Sequence, residues 1–162
     1  MGGNITALEV DGTFDDCQRL VKQAFLDGEL KKNLQLASAN SINIARLIPQ
    51  TFYYFHAIAQ LRNRGEGVVF SVPSGNFGNL TAGLIAKRMG LPICRFIAAT
   101  NVNDIVPLYL RTGKFSPRPS IQTISNAMDV GNPSNFIRIQ QIFNNEFASL
   151  KDKLTSISVS DE

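Results

Sequence analysis

Tryptophan is absent, and histidine occurs once, at His56. One imidazole, with no carboxylate cluster near it in sequence, cannot supply the ligand set of a structural or catalytic metal site. No metal is expected, and His56 is read as a partly buried or surface residue. Cysteine is almost as scarce. Cys17 and Cys94 lie far apart and in no CxxC spacing. That excludes a disulfide framework and predicts two reduced core thiols in a cytoplasmic protein. Long apolar runs are also missing. No stretch approaches the roughly 20 apolar residues of a membrane span, and Met1-Gly2-Gly3 is too short and polar an opening for a signal peptide. Blocks of one charge are missing too. The chain carries 16 Lys and Arg against 13 Asp and Glu, a net charge of +3. The basic residues stand singly or in pairs such as Lys31-Lys32, whereas a nucleic-acid binder gathers them on one face. Neither a membrane nor a nucleic acid is an expected partner.

What is present is an ordinary globular composition: 44% hydrophobic and 18% charged in 162 residues. That length can bury a sizeable core. Ile5–Val10 and Leu34–Ala37 read as short strands. Between them, Thr13 and Asp16 have the spacing of a reciprocal cap. The helix they open presents Phe14, Cys17, Leu20, Val21, Ala24 and Phe25 on one face and ends at Asp27-Gly28. A long helix is predicted over 42–63, with Ile44, Ile48, Phe52, Phe55 and Ala59 as its apolar stripe and a kink or break at Pro49. Val68–Val72 and Ile93–Ala98 are unbroken apolar runs, expected of parallel strands covered on both faces. Helices are predicted over Leu80–Met89, from an Asn103 cap to Leu110, and over Asn135–Leu150. Gly90 and Gly113 close the first two. Residues 115–133 are expected to wrap the surface. Strand and helix alternate, so the fold class is α/β with a parallel sheet.

The most informative stretch is 68–89. A buried strand ends at Val72, a turn with two glycines follows, and a helix begins at once. Such a turn aims free backbone N–H groups and the positive end of a helix dipole at one point, where an anion is stabilised. Gly75 and Gly78 allow close backbone approach. Ser74, Asn76 and Asn79 add side-chain donors. The loop lacks the Lys-Ser/Thr of a nucleotide P-loop, and its glycines do not follow the dinucleotide G-x-G-x-x-G. A cradle without cation or metal ligand suits a phosphate that anchors a cofactor and is not itself transferred, the arrangement that pyridoxal phosphate requires.

Ser74-Gly75-Asn76-Phe77-Gly78-Asn79, followed by Leu80-Thr81-Ala82-Gly83, closely resembles the phosphate loop of the threonine synthases. Four further segments resemble the same family: Glu9–Gln18, Ser38–Leu47, Phe96–Asn101 with Asn103-Asp104, and Asn126–Asn135. The resemblance runs from about Asn4 to Phe143. It implies a fragment of a fold type II pyridoxal-phosphate lyase that converts O-phosphohomoserine and water to threonine and phosphate. It further implies that Ser74, Gly75, Asn76, Phe77, Gly78 and Asn79 hold the cofactor phosphate, and that the Asn40–Arg46 segment holds the substrate phosphate. In that segment Asn40 and Ser41 are expected at a helix N-terminus. Asn43 and Arg46, three apart, share a face, and an arginine there can pair bidentately with phosphate. Residues 1–40 would belong to the end of the family's smaller domain and 41–162 to the middle of its larger one.

One departure from the family bears on activity. The family links its cofactor through a lysine upstream of every motif seen here. Lys22, Lys31, Lys32, Lys87, Lys114, Lys151 and Lys153 all stand in other contexts. The resemblance also places the part that meets the cofactor ring beyond Glu162, and both ends read like cuts in a longer chain. No catalytic residue is therefore assigned, and the chain alone is expected to be inactive and to retain no cofactor. Two rival readings remain open: another fold type II pyridoxal-phosphate enzyme, and a non-catalytic phosphate-binding module. Residues 1–40 offer too little for a core of their own. They are expected either to dock on the rest in a non-parental arrangement or to pair with a second copy, and in the second case the chain self-associates.

Overall fold

The computed structural model describes residues 2–61 and 67–161, and the chain divides into two compact units, Met1–Ala37 and Ser38–Glu162.

The first unit holds two helices, α1 (Phe14–Leu26) and α2 (Gly28–Asn33). Thr13 and Asp16 form the expected capping box: the Thr13 hydroxyl accepts from the Asp16 amide, and the Asp16 carboxylate accepts from the Thr13 amide at 3.0 Å. The Thr13 amide and hydroxyl, then Arg19, hold the Asp16 carboxyl below its ordinary range. Asp27 closes α1 and caps α2 by accepting from the Glu29 and Leu30 amides. Gly28 is thus the first residue of a second helix and not a left-handed cap. Neither Ile5–Val10 nor Leu34–Ala37 forms a strand. On the expected apolar face of α1, Phe14, Leu20 and Val21 are exposed, while Gln18 is buried. Two short helices give such a face nothing to pack on within their own unit.

The second unit is built on a parallel sheet, β1 (Val68–Pro73), β2 (Ile93–Thr100) and β3 (Leu154–Ser158), in that spatial order. The connections carry α4 (Gly78–Arg88), α5 (Ile105–Thr112), α6 (Phe136–Ile142) and α7 (Phe147–Lys153), and α3 (Ile48–Ala59) precedes β1. Both crossovers step the same way across the sheet, so right-handed connections place their helices on one side. Burial follows that rule. Val72, Phe96, Ala98 and Leu154 are buried, whereas Val69, Ser71 and Ile157 on the alternate positions are exposed. The strands were expected to be covered on both faces; one face is open. Cys94 lies exposed near the start of β2 and Cys17 is half-buried, so neither is a core thiol.

The long helix expected over 42–63 is shorter. A 3-10 turn spans Ile44–Arg46, and α3 starts at Ile48 with Pro49 in its first turn, where proline's missing N–H costs nothing. Residues 62–63 of that expectation lie outside the described residues. The stripe is also displaced. Leu47, Thr51, Tyr54 and Ile58 are buried, while Ile44, Ile48, Phe52 and Phe55 are exposed. The helix is apolar nearly all round, so periodicity alone cannot choose its inner face. Tyr54 meets Phe70 and Phe96 edge-on at 4.9 and 5.9 Å. A second aromatic group surrounds Phe136, with Phe77, Tyr109 and Phe115 within 6 Å of its ring centre.

Gly90 and Gly113 take the left-handed conformation that closes α4 and α5. Asp104, and not Asn103, occupies the α5 N-cap position. The helix expected over 135–150 is broken into α6 and α7 at Asn144 and Asn145, both with positive φ. Those two residues tolerate that conformation better than most.

Candidate functional site

The loop 74–79 joins β1 to α4 at the carboxyl edge of the sheet, the usual place for ligands in open α/β sheets. Ser74 is built into the sheet's end. Its amide donates to Ala99 O at 2.8 Å and its hydroxyl to Val72 O at 2.8 Å. Among the described residues, the amides of Gly75, Asn76, Phe77, Gly78 and Asn79 find no acceptor in the protein. Phe77 sits at the N-cap of α4 with φ 60°, and no side chain caps the helix. The first turn of α4 therefore keeps its donors and the positive end of its dipole free.

The two loop glycines are needed for space, since neither has positive φ. A Cβ on Gly75 would lie 2.8 Å from Met128 Cα, and one on Gly78 would lie 3.0 Å from Ser41 Cβ. The close approach they permit is made by the protein itself, by the turn at 126–128 and by the 40–46 segment.

Asn79 is clamped from α3. The buried Tyr54 hydroxyl donates to Asn79 Oδ1 at 2.7 Å and to Asn79 O at 3.0 Å, and Asn79 Nδ2 donates to Gln50 Oε1 at 3.3 Å. Burial pushes the Tyr54 phenol well above its ordinary pKa, so it is a donor at any physiological pH. Asn76 is clamped from the other side. Its Oδ1 accepts from the Ser134 amide at 2.7 Å and the Ser134 hydroxyl at 3.1 Å, and its Nδ2 donates to Ser41 Oγ at 3.0 Å.

Ser41 is thereby brought to the loop. Its hydroxyl also accepts from Asn135 Nδ2 at 2.9 Å and donates to Asn40 Oδ1 at 3.3 Å. Asn135 is wholly buried and also donates to Asn76 O at 3.0 Å. Arg138 donates to Asn135 Oδ1, to Ser41 O at 2.7 Å and to Ile42 O at 2.5 Å. The cluster thus unites three of the segments singled out in the sequence: 38–47, 74–83 and 126–135. The fourth, around Asn101 and Asn103, joins through Asp129. That carboxylate accepts from Asn101 Nδ2 at 2.7 Å, Asn103 Nδ2 at 3.2 Å and the Thr123 amide at 2.9 Å.

Two expected residues stay outside the cluster. Asn40 and Ser41 do not start a long helix and Asn43 does not lie within one; the Asn43 side chain caps the 3-10 turn at Ala45 and donates to Ser38 O. Arg46 is exposed, and its side chain makes no polar contact among the described residues. Conversely, the sequence gave no reason to single out Gln50, Tyr54 or Arg138. Each acts through a neighbour distant in the chain, and nothing local marks it.

A cavity of about 280 Å³ lies beside the loop at the strand ends, lined by Pro73, Ala99, Asn101, Ser125, Met128 and Val159 among others. The lysines whose contacts are described in the second unit are engaged elsewhere. Lys87 donates to Ile93 O at the far end of α4, Lys151 lies over Phe147, and Lys153 pairs with Asp152. Among the described residues no group of His, Cys, Asp or Glu is placed to hold a metal ion, and no helix is long and apolar enough to cross a membrane.

No family model matches the chain. Individual proteins do. The threonine synthase of Serratia marcescens is 55% identical over 163 aligned positions, which take in all of this chain and 38% of that protein. The crystal structure of Escherichia coli threonine synthase superposes with a TM-score of 0.92 at 54% identity, over 99% of this chain and 38% of that one. A threonine synthase from Brucella melitensis, solved with pyridoxal phosphate bound, superposes with a TM-score of 0.80 at 38% identity, over 97% and 39% of the two chains. The chain belongs with the threonine synthases, and it spans about 38% of the length of the curated relatives it matches.

Proposed function

We propose that the chain supplies the phosphate-holding part of a threonine synthase, a cytoplasmic pyridoxal-phosphate lyase that converts O-phosphohomoserine and water to threonine and phosphate. Residues 1–40 belong to the end of the smaller domain and 41–162 to the middle of the larger one. The observation that carries the reading is the contact between the two expected phosphate segments, Asn76 of the loop and Ser41 of the 40–46 turn. Two anions bound on these segments would lie side by side, as a phosphorylated cofactor and a phosphorylated substrate require.

The residues present fit the cofactor's phosphate. Amides 75–79 find no acceptor among the described residues, and those of 78 and 79 open the first turn of α4. When bound, pyridoxal phosphate supplies an electron sink for carbanion chemistry. This chain's part is to hold and orient it: Tyr54 and Gln50 fix Asn79, and Ser134 fixes Asn76. Ser41, with Asn40, offers a hydroxyl to the second phosphate, and the exposed Arg46 is left to meet it from solvent.

The resemblance puts the linking lysine upstream of every motif carried here, so the chain alone is read as lacking the group that takes and returns the proton at the reacting carbon. The purified chain is expected to form no threonine from O-phosphohomoserine and to show no visible band after pyridoxal phosphate is added. Inorganic phosphate is expected to shift the amide resonances of 75–79. Borohydride trapping of the cofactor on one specific lysine would overturn the reading of the chain as an anchor only. Unmoved loop amides would overturn the reading of the loop.

A further inference from the structure

We propose that Asn135, Arg138 and Asn76 are positioning residues that make the Ser41 hydroxyl a hydrogen-bond donor only, so that it selects an acceptor-only phosphate oxygen. The inference rests on the reading of Ser41 as a phosphate contact and concerns how that contact is set.

The argument follows the fixed donors inward. A guanidinium has five N–H donors and no acceptor. Arg138 meets the Asn135 side chain, so the Asn135 atom on that side is the oxygen. Its Nδ2 then faces Ser41 Oγ at 2.9 Å and Asn76 O at 3.0 Å, and that carbonyl accepts only. Both neighbours require the same orientation of the amide. Asn76 is fixed in the same way. The Ser134 backbone amide is a donor only and meets Asn76 Oδ1 at 2.7 Å, which turns Asn76 Nδ2 onto Ser41 Oγ at 3.0 Å.

Ser41 Oγ therefore accepts two N–H bonds, and a hydroxyl has two lone pairs. Its acceptor capacity is full, and it has only its proton to offer. That proton rests on Asn40 Oδ1 at 3.3 Å, a long contact on an oxygen already accepting from the Ile42 amide at 3.1 Å. Two donors onto Oγ polarise the O–H and strengthen what it can give. A ligand group that must donate, such as a hydroxyl or an ammonium, finds no acceptor at Oγ. A dianionic phosphate oxygen, which only accepts, takes the proton from Asn40. Arg138 also holds Ser41 O at 2.7 Å and Ile42 O at 2.5 Å, which keeps the segment from turning away. The cluster is coupled because one change at Asn135 alters both the geometry and the polarity of Ser41.

The test uses the isotopically labelled chain titrated with inorganic phosphate at pH 8, following Ser41, Ile42 and the side-chain amides of Asn76 and Asn135. Ser41 is expected to respond and saturate. Ser41→Ala is expected to weaken phosphate binding about tenfold, the worth of one hydrogen bond to a charged group. Asn135→Asp keeps the size of the side chain and its bond to Arg138, but turns an acceptor onto Ser41 that captures the proton. It is expected to cost about as much as Ser41→Ala, and the double variant no more than either. Losses that add in the double variant, as simple charge repulsion would give, overturn the proposal. If Asn135→Asp does not fold, the Ser41→Ala comparison decides alone: unchanged affinity overturns the proposal. A response at 75–79 without one at Ser41 overturns it while leaving the anchor reading intact; silence at both sinks both. Saturation with pyridoxal phosphate before inorganic phosphate distinguishes the source. Ser41 responding to the first marks the cofactor's phosphate, and responding only to the second marks the substrate's.

Discussion

Gly83 lies in the middle of α4, where helix propensity and packing give opposite answers. Alanine is a better helix former than glycine by about 1 kcal/mol in an exposed helix interior. By that rule Gly83→Ala stabilises the protein. The structure argues the reverse. A Cβ at position 83 would lie 2.5 Å from Tyr54 Cζ, 2.6 Å from Phe96 Cε1 and 2.7 Å from Tyr54 Cε1. Neither ring is a loose end: Tyr54 is 3% exposed and Phe96 0%. Tyr54 is further tied through its hydroxyl to Asn79. Real carbon contacts need roughly another ångström, so α4 or both rings must shift. Overpacking of this kind costs about 1–3 kcal/mol. Set against the propensity gain, Gly83→Ala is expected to destabilise the chain by up to about 2 kcal/mol. Urea unfolding followed by far-ultraviolet circular dichroism measures it. A second change, Tyr54→Leu, removes most of the obstruction, so the double variant should lose less than the sum of the two single losses. A midpoint for Gly83→Ala above that of the parent sequence would refute the packing argument.

Other expectations follow from features already described. Ile58→Ala, on the inner face of α3, is expected to cost about 2–5 kcal/mol, whereas Phe52→Ser on the outer face should stay within about 0.5 kcal/mol by the same unfolding assay. Tyr54→Phe removes the donor to Asn79 and should cost about 1–2 kcal/mol. Burial raises the Tyr54 phenol pKa, so its contribution is whole below the unfolded value of about 10 and is lost as pH rises above it. Stability of the parent sequence and of Tyr54→Phe should therefore converge at high pH; parallel curves would contradict this. At the other end of the scale, the Asp16 pKa is lowered by the Thr13 amide and hydroxyl. The α1 cap is therefore intact above the ordinary carboxylate range and lost as pH falls through the lowered value, which the Asp16 carboxyl resonance in an acid titration will report. Thr13→Ala should cost the helix about 1 kcal/mol.

The parts of the fold legible in the sequence were those set by local chemistry. The Thr13–Asp16 box, the left-handed Gly90 and Gly113, and the strands Val68–Pro73 and Ile93–Thr100 each follow from residues within a few positions. What was not legible depended on distant partners. The inner face of α3 is chosen by where Phe70 and Phe96 lie, and no pattern in an all-apolar helix reveals that. β3 was missed because Leu154–Ser158 is short and weakly apolar, and exists only by pairing with β2. In the site, the loop was read from its glycines and donors. Arg46 is read from the family motif and from the face it shares with Asn43. The arginine that bonds Ser41's own carbonyl is Arg138, almost a hundred positions away by the chain.

The placement of β3 has a consequence for how the protein is made. Phe96 stands opposite Leu154, and Thr100 opposite Ser158. While the chain is being synthesised, β2 ends at Thr100 and is complete well before Leu154, where the strand that must lie beside it begins. Until residues 154–158 clear the ribosome, β2 presents a bare parallel edge, and the helices of the second crossover have no strand to return to. Long-range parallel pairing of this kind is slow to form. The nascent protein is thus most exposed to misassociation between the completion of β2 and that of β3. A ribosome stalled short of Leu154 should leave a chain that chaperones hold and proteases cut, and synthesis far enough to bring Ser158 out of the exit tunnel should end both.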